Sequence, residues 1–217
     1  MPDPNYVSSG SGINSGATIT FAIDCTGADY LVVAVCYHDA DEVALGVPSV
    51  TYNGVSLGSN IWGTAINARV RYWEKKLPAT GSNNVVVTFS GVPANTCCAG
   101  AQAFKNVNQL NQRGAFFTNG GGSGNSSVAV TDALVTDSIT ETVSTLGTES
   151  NQNYLQAWSQ TGLVVNGGGQ HTQGGSTTLT WTIGAEWVSL AMAIKIIVPP
   201  TAHTVLRSGK FTHGTFR

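Results

Sequence analysis

Apolar residues along this chain recur with a period of two, in short stretches separated by turn chemistry. From Ala17 to Asp24, Ile19, Phe21 and Ile23 fall on one side of an extended chain, the pattern of a strand with one buried face. Leu31 to Tyr37 is apolar on both sides and rich in Val, which predicts a central strand covered on both faces. Trp187 to Val198 is of the same kind, and the two runs pair as central strands of a sandwich. Between them, Val50 to Leu57 carries Asn53-Gly54 between two β-prone segments. Both central residues of a type I′ turn need positive φ, so this is a tight hairpin. Arg69 to Leu77 reads as a strand with Val70 and Tyr72 on one face and Arg69, Arg71, Trp73 and Lys75 on the other. Asn84 to Ser90 follows a Pro78-Ala79-Thr80-Gly81 turn. Cys97 to Phe104, Ser127 to Val130, Ser138 to Val143, Tyr154 to Ser159 and Thr177 to Ile183 complete the series.

No long 3.6-residue apolar period with caps interrupts these strands, and no repeat of roughly 20 to 50 residues is present. The expected fold class is therefore all-β, a jelly-roll-like antiparallel β-sandwich of about eight to ten strands. Residues 1–16, rich in Ser, Gly and Asn, read as an arm or loop, and 17–198 as the sandwich. Gly120 to Gly124 reads as a flexible loop inside it. Pro199-Pro200 ends the last strand, since neither residue can donate to a ladder. Residues 199–217 then form a basic C-terminal arm, with Arg207, Lys210 and Arg217 among Phe211 and Phe216. It is too poor in large aliphatics for a core of its own and too apolar for a linker, and is expected to order on a neighbouring subunit. The alternative is a loose end.

Composition changes the picture in one respect. Only 10% of the 217 residues are charged, against roughly 25% in an average soluble domain, and 26 are glycine. A surface built from Ser, Thr, Asn, Gln and Gly suits a molecule partly covered by other subunits. The net charge of -2 argues against bulk binding of nucleic acid or an anionic membrane. Charge is nonetheless uneven: Arg113 and Lys195 bracket a stretch with no Lys or Arg but with Asp132, Asp137, Glu141, Glu149 and Glu186. The four cysteines, Cys25, Cys36, Cys97 and Cys98, lack C-x-x-C spacing and are expected to be reduced and buried. With neither a signal peptide after Met1 nor a run of ~20 apolar residues, synthesis in a cytoplasm is expected.

The chain lacks G-x-S-x-G, G-x-x-x-x-G-K-[ST] and H-E-x-x-H, so no catalytic residue and no cofactor is assigned. His38-Asp39-Ala40-Asp41-Glu42 reads as a loop after a buried strand. There Asp39, Asp41 and Glu42 offer hard oxygen ligands for Ca²⁺, although the spacing and glycine of a dedicated calcium loop are missing. An acidic solvated turn is the commoner reading. Trp62, Trp158 and Trp181 are candidates for a sugar-stacking platform or for core packing. The Arg69, Arg71 and Trp73 face reads either as a solvated face, with cationic stems over the indole, or as an interface.

Several of these stretches together resemble a group of phage and prophage β-sandwich proteins. They are Leu31 to Val35, Pro48 to Leu57, Tyr72-Trp73, Asn84 to Gly91, Ala101 to Phe104 and Trp187 to Lys195. The resemblance covers roughly residues 17–198, while the His38 to Glu42 segment and the basic arm depart from it. Members of that group occur as capsid decoration (cement) proteins, head fibres and tail accessory modules. The resemblance implies a structural virion protein on the capsid surface, a homotrimer whose partners are the major capsid protein and itself. Arg207, Lys210, Phe211, Phe216 and Arg217 would make the partner contact, without membrane or nucleic acid. A glycan- or host-binding module of a tail or head fibre is the alternative.

Overall fold

A computed structural model of the chain describes residues 5–64, 67–122, 126–131, 134–141, 148–149, 155–161, 165–173, 176–182 and 186–197. Strands are numbered in chain order. One five-stranded sheet holds, in spatial order, β1 (Tyr6–Ile13), β9 (Cys98–Phe104), β3 (Tyr30–His38), β7 (Ala68–Lys76) and β6 (Gly58–Thr64). A four-stranded sheet holds β2 (Thr18–Asp24), β8 (Ser82–Thr88), β4 (Ser49–Tyr52) and β5 (Val55–Ser56). A second five-stranded sheet runs β10 (Arg113–Gly121), β17 (Trp187–Ile194), β12 (Leu134–Glu141), β15 (Asn166–Gln173) and β14 (Leu155–Thr161). The last sheet consists of β11 (Ser126–Thr131), β16 (Ser176–Thr182) and β13 (Thr148–Glu149). A single short helix, α1 (Asp39–Leu45), occurs among the described residues.

All named strand pairs are antiparallel, and the molecule is the all-β sandwich that the period-two pattern predicts. It contains four sheets, however, and seventeen strand segments among the described residues, more than the two facing sheets and eight to ten strands expected.

The doubly apolar runs explain the extra layers. On β3, Leu31, Val33, Val35 and Tyr37 join one core with Ile19, Phe21 and Val87 of the four-stranded sheet. Val32, Ala34 and Cys36, on the opposite face, join a second core with Val188, Leu190 and Met192 of β17. The other face of β17 carries Ala191 and Ala193, which meet Val130 and Leu179 in a third cluster. β3 and β17 are thus apolar on both sides because each has a sheet on both sides, at a gain of roughly 1.5–3 kcal/mol per large aliphatic side chain buried. β3 and β17 therefore lie in facing sheets and are not ladder partners: β3 bonds to β7 and β9, and β17 to β10 and β12.

The two five-stranded sheets stack in matching order, with β10 over β6, β17 over β7, β15 over β9 and β14 over β1. Their approach is close at Gly167. A Cβ there would come within 2.9 Å of Cys36 Sγ, 3.1 Å of Cys36 Cβ and 3.2 Å of Cys98 Cβ.

The hairpin at Asn53-Gly54 forms as expected, with φ of 48° and 72°. Three segments differ from expectation. Residues 6–13, anticipated as arm or loop, form β1, paired with β9 from Tyr6↔Phe104 to Ile13↔Cys98. Their small residues permit this, since a Cβ at Gly10 would lie 2.3 Å from the Ala22 carbonyl oxygen. Gly120 and Gly121 end β10 in register with Val188 and Trp187. His38 to Glu42 begins a helix, not a loop, with His38 Nδ1 capping the Ala40 N–H at 3.1 Å. Asp39, Asp41 and Glu42 occupy its first turn, where carboxylates offset the exposed amide dipoles. All four cysteines are free and buried. No helix among the described residues is long and apolar enough to cross a membrane.

Candidate interaction site

Where β3 runs into α1, the fold gathers residues that the sequence had placed on two separate features. Tyr37 pairs with Arg69, and Val35 with Arg71, across the β3/β7 ladder. α1 then turns back so that its acids face those arginines. Arg69 bonds the Asp39 carboxylate and lies 3.4 Å from Glu42 Oε2. Arg71 donates from Nη2 to Glu42 and from Nε to the Tyr37 hydroxyl at 2.6 Å. Burial alone would lower the Arg71 pKa, but the Glu42 hydrogen bond and the neighbouring Tyr37 and Glu42 more than offset it, holding the guanidinium above its ordinary value. Burial pushes the Tyr37 phenol up, so it stays protonated. Glu186 closes the neighbouring loop, accepting from the Asn67 side chain at 2.8 Å and the Ala68 N–H at 3.1 Å.

Trp62 completes the cluster. It lies opposite Arg71 on the edge strand β6, with the Arg71 guanidinium 5.5 Å from its ring centroid, and remains 54% exposed. Two carboxylates and a phenol thus orient two arginines, and one arginine orients an exposed indole. Aromatic and guanidinium groups immobilised in this way resemble the anchors of protein interfaces, because little side-chain entropy is left to lose on contact.

The placements of the sequence candidates follow from this geometry. Arg69 and Arg71 are brought together with Asp39 and Glu42, whereas Trp73 is 2% exposed within the first core. The Arg69, Arg71 and Trp73 face is consequently neither a solvated face nor an interface at Trp73: the four-stranded sheet covers the indole, and α1 covers the arginines. Asp41 points elsewhere. It is 2% exposed and accepts from Ala94 N at 2.7 Å and from Asn95 Nδ2 at 3.0 Å, which fastens α1 to the β8–β9 connection. Asp39, Asp41 and Glu42 therefore each meet protein donors, and no group of three His, Cys, Asp or Glu side chains suited to a metal ion occurs among the described residues. Trp181 is fully buried, a core residue and not part of a sugar platform. The Trp158 side chain and all of Arg207, Lys210, Phe211, Phe216 and Arg217 lie outside the described residues. Sequence reasoning missed Tyr37 and Glu186, for which no local pattern gives a signal.

No protein-family model matches the chain. Neither a curated protein nor a solved structure is significantly similar to it. The functional reading therefore rests on this geometry and on the sequence resemblance.

One further polar group sits deep between layers. His171 of β15 is 1% exposed, stacked on Tyr6 at 4.0 Å and met edge-on by Phe104 at 6.2 Å. Its Nδ1 has no hydrogen-bond partner among the described residues. Burial lowers its pKa to about 4, so the ring is neutral at pH 7 and acts as a packing element of the two five-stranded sheets.

Proposed function

We propose that this chain is a structural protein of a tailed-phage particle, a capsid decoration protein that adds contacts on the capsid lattice. The observation that carries the reading is Trp62, an exposed indole held by Arg71, which Glu42 and Tyr37 hold in turn. Such a group is arranged to bind a surface, since all its polar partners serve to hold it still. The low charge content and the resemblance to phage β-sandwich proteins support the same role. In this reading the protein resides on the virion, assembles as a homotrimer beside the major capsid protein, and uses residues 203–217 as an attachment arm.

The test is co-sedimentation of purified protein with particles that lack it. Trp62→Ala is expected to reduce occupancy while leaving the melting temperature within about 2 °C, as surface substitutions generally do. Removal of residues 203–217 should weaken attachment and spare the fold. Occupancy unaffected by both changes would refute the proposed mode of attachment.

Trp62 also favours a second reading, in which the indole stacks on a host sugar within a tail or head fibre. Glycan-array binding that Trp62→Ala abolishes would select it over decoration.

A further inference from the structure

The cations of the described residues divide between the two ends of the sandwich. Arg69 and Arg71 sit at the α1 end, each facing carboxylates. The other five described cations, Lys75, Lys76, Lys105, Arg113 and Lys195, all lie at the opposite end, near the point where Leu77 N bonds Asp29 O. Three described carboxylates share that end, each already bonded: Asp24 by Thr26, Asp29 by the Val107 N–H, and Glu74 by Tyr30 and Arg113. Among the described residues, the four lysines form no ion pair.

This end also carries exposed aliphatic side chains. Leu110 is 96% exposed, Leu77 68% and Ile197 50%. They are not loosely held. Leu110 N and Asn111 N bond Asn108 Oδ1 at 3.0 and 3.2 Å. Gln109 Nε2 donates to Asp29 O and to Val107 O at 3.1 and 3.0 Å, and Lys76 Nζ reaches Gln109 O at 3.3 Å. Asn108 N bonds Lys195 O, and Ile197 N bonds Asn106 O. The loop from Asn106 to Asn111 is thereby fastened to β7, to the β2–β3 turn and to the end of β17, with Leu110 presented to solvent at its tip.

We infer that Lys76, Leu77, Lys105, Leu110, Lys195 and Ile197 form a second interaction surface, whose partner is an acidic protein surface with an apolar pocket for Leu110. A second copy meeting this end by two-fold symmetry would set lysines against lysines, which is unfavourable, so the partner is a different surface. A fully exposed leucine on an immobilised loop is suited to a pocket, while the surrounding lysines steer and register the contact. Under the decoration reading this end is a second contact, apart from Trp62, and the inference rests on that reading only for the partner's identity.

The experiment uses the full chain and a defined probe, a random copolymer of glutamate and tyrosine, compared with polyglutamate, duplex DNA and phosphatidylserine vesicles. Saturable binding to the copolymer is expected, tighter than to polyglutamate and weakened as salt rises from about 50 to about 300 mM. Leu110→Ser should weaken copolymer binding about fivefold to tenfold and bring it level with polyglutamate. Lys76→Glu with Lys105→Glu should weaken both by more than about tenfold. Both variants alter exposed side chains, and an unchanged melting curve verifies their folding. Absent binding, variants that bind like the parent, or tighter binding to DNA or vesicles would each overturn the inference. A chain that binds the copolymer as expected yet is missing from phage particles would refute the decoration role and leave this surface standing.

Discussion

Replacing Gly167 by alanine probes the stacking of the two five-stranded sheets with a single methyl group. The new Cβ would meet Cys36 Sγ at 2.9 Å and the Cβ atoms of Cys36 and Cys98 at 3.1 and 3.2 Å. The two Cβ atoms belong to adjacent ladder strands, paired Cys36↔Cys98, and cannot swing aside as the end of a long side chain can. Overpacking of this kind costs about 1–3 kcal/mol. In a chain of this length each kcal/mol shifts the melting midpoint by roughly 2–4 °C, so Gly167→Ala should lower it by about 2–12 °C. Cys36→Ala removes the nearest atom, and the double variant should be less destabilised than the sum of the two single changes. Gly122→Ala serves as the matched control, since a Cβ there has no neighbour within 4 Å, and its midpoint should stay within about 1 °C of the parent, as a surface change with nothing to displace. Calorimetry or circular dichroism reads all four. If Gly167→Ala melts with the parent, β15 does not lie against β3 and β9, and the layer order is wrong.

Three other changes probe separate parts of the account. Trp73→Ala empties a side chain that is 2% exposed and should cost about 3–5 kcal/mol in denaturant unfolding, whereas a loss under about 1 kcal/mol, usual for surface positions, would return Trp73 to the surface. Asp41→Ala strips the acceptor from the Ala94 and Asn95 amides and should cost about 1–3 kcal/mol, with faster amide exchange at those two positions. His171 has its folded pKa lowered to about 4, so on acidification the unfolded chain takes up the proton first, near its ordinary pKa of about 6.5. The stability from the neutral ring is fully present above that value and declines as pH falls toward 4; between pH 7 and 5 the loss should be about 2 kcal/mol. His171→Asn should remove that increment, and an identical pH slope in the variant would show that His171 is not buried neutral.

How far the sequence anticipates this structure depends on side-chain size. The alternation of Ile19, Phe21 and Ile23 marks β2 directly, because one face meets a core and the other meets solvent. The two-sided runs of β3 and β17 reveal burial on both faces, and the number of layers follows once each face is required to have its own cover. β15 is different. Asn166, Gly167, Gly168, Gly169 and Gln170 carry no apolar signal, yet all five are buried, because glycine is what allows the backbone to approach Cys36 and Cys98. β1 escapes notice for the same reason, at Gly10 and Gly12 against Ala22, Ile19 and Phe21. At the candidate site, residue types were legible while their partners were not. Arg69, Arg71 and Lys75 suggested that their face of β7 was wet, since nothing local records that α1 and the four-stranded sheet cover it. The His38 to Glu42 acids read as an acidic solvated turn, with a cation loop as the lesser alternative, whereas they begin a helix, where carboxylates offset exposed amides.

The proposed function is tested most directly by the composition of phage particles purified by density gradient and imaged by electron cryo-microscopy. The account predicts this chain at fixed stoichiometry on the capsid surface, as repeated four-layered β density with Trp62 turned toward the shell. Purified infectious particles that lack the chain, while the same lysate contains it in soluble form, would contradict it.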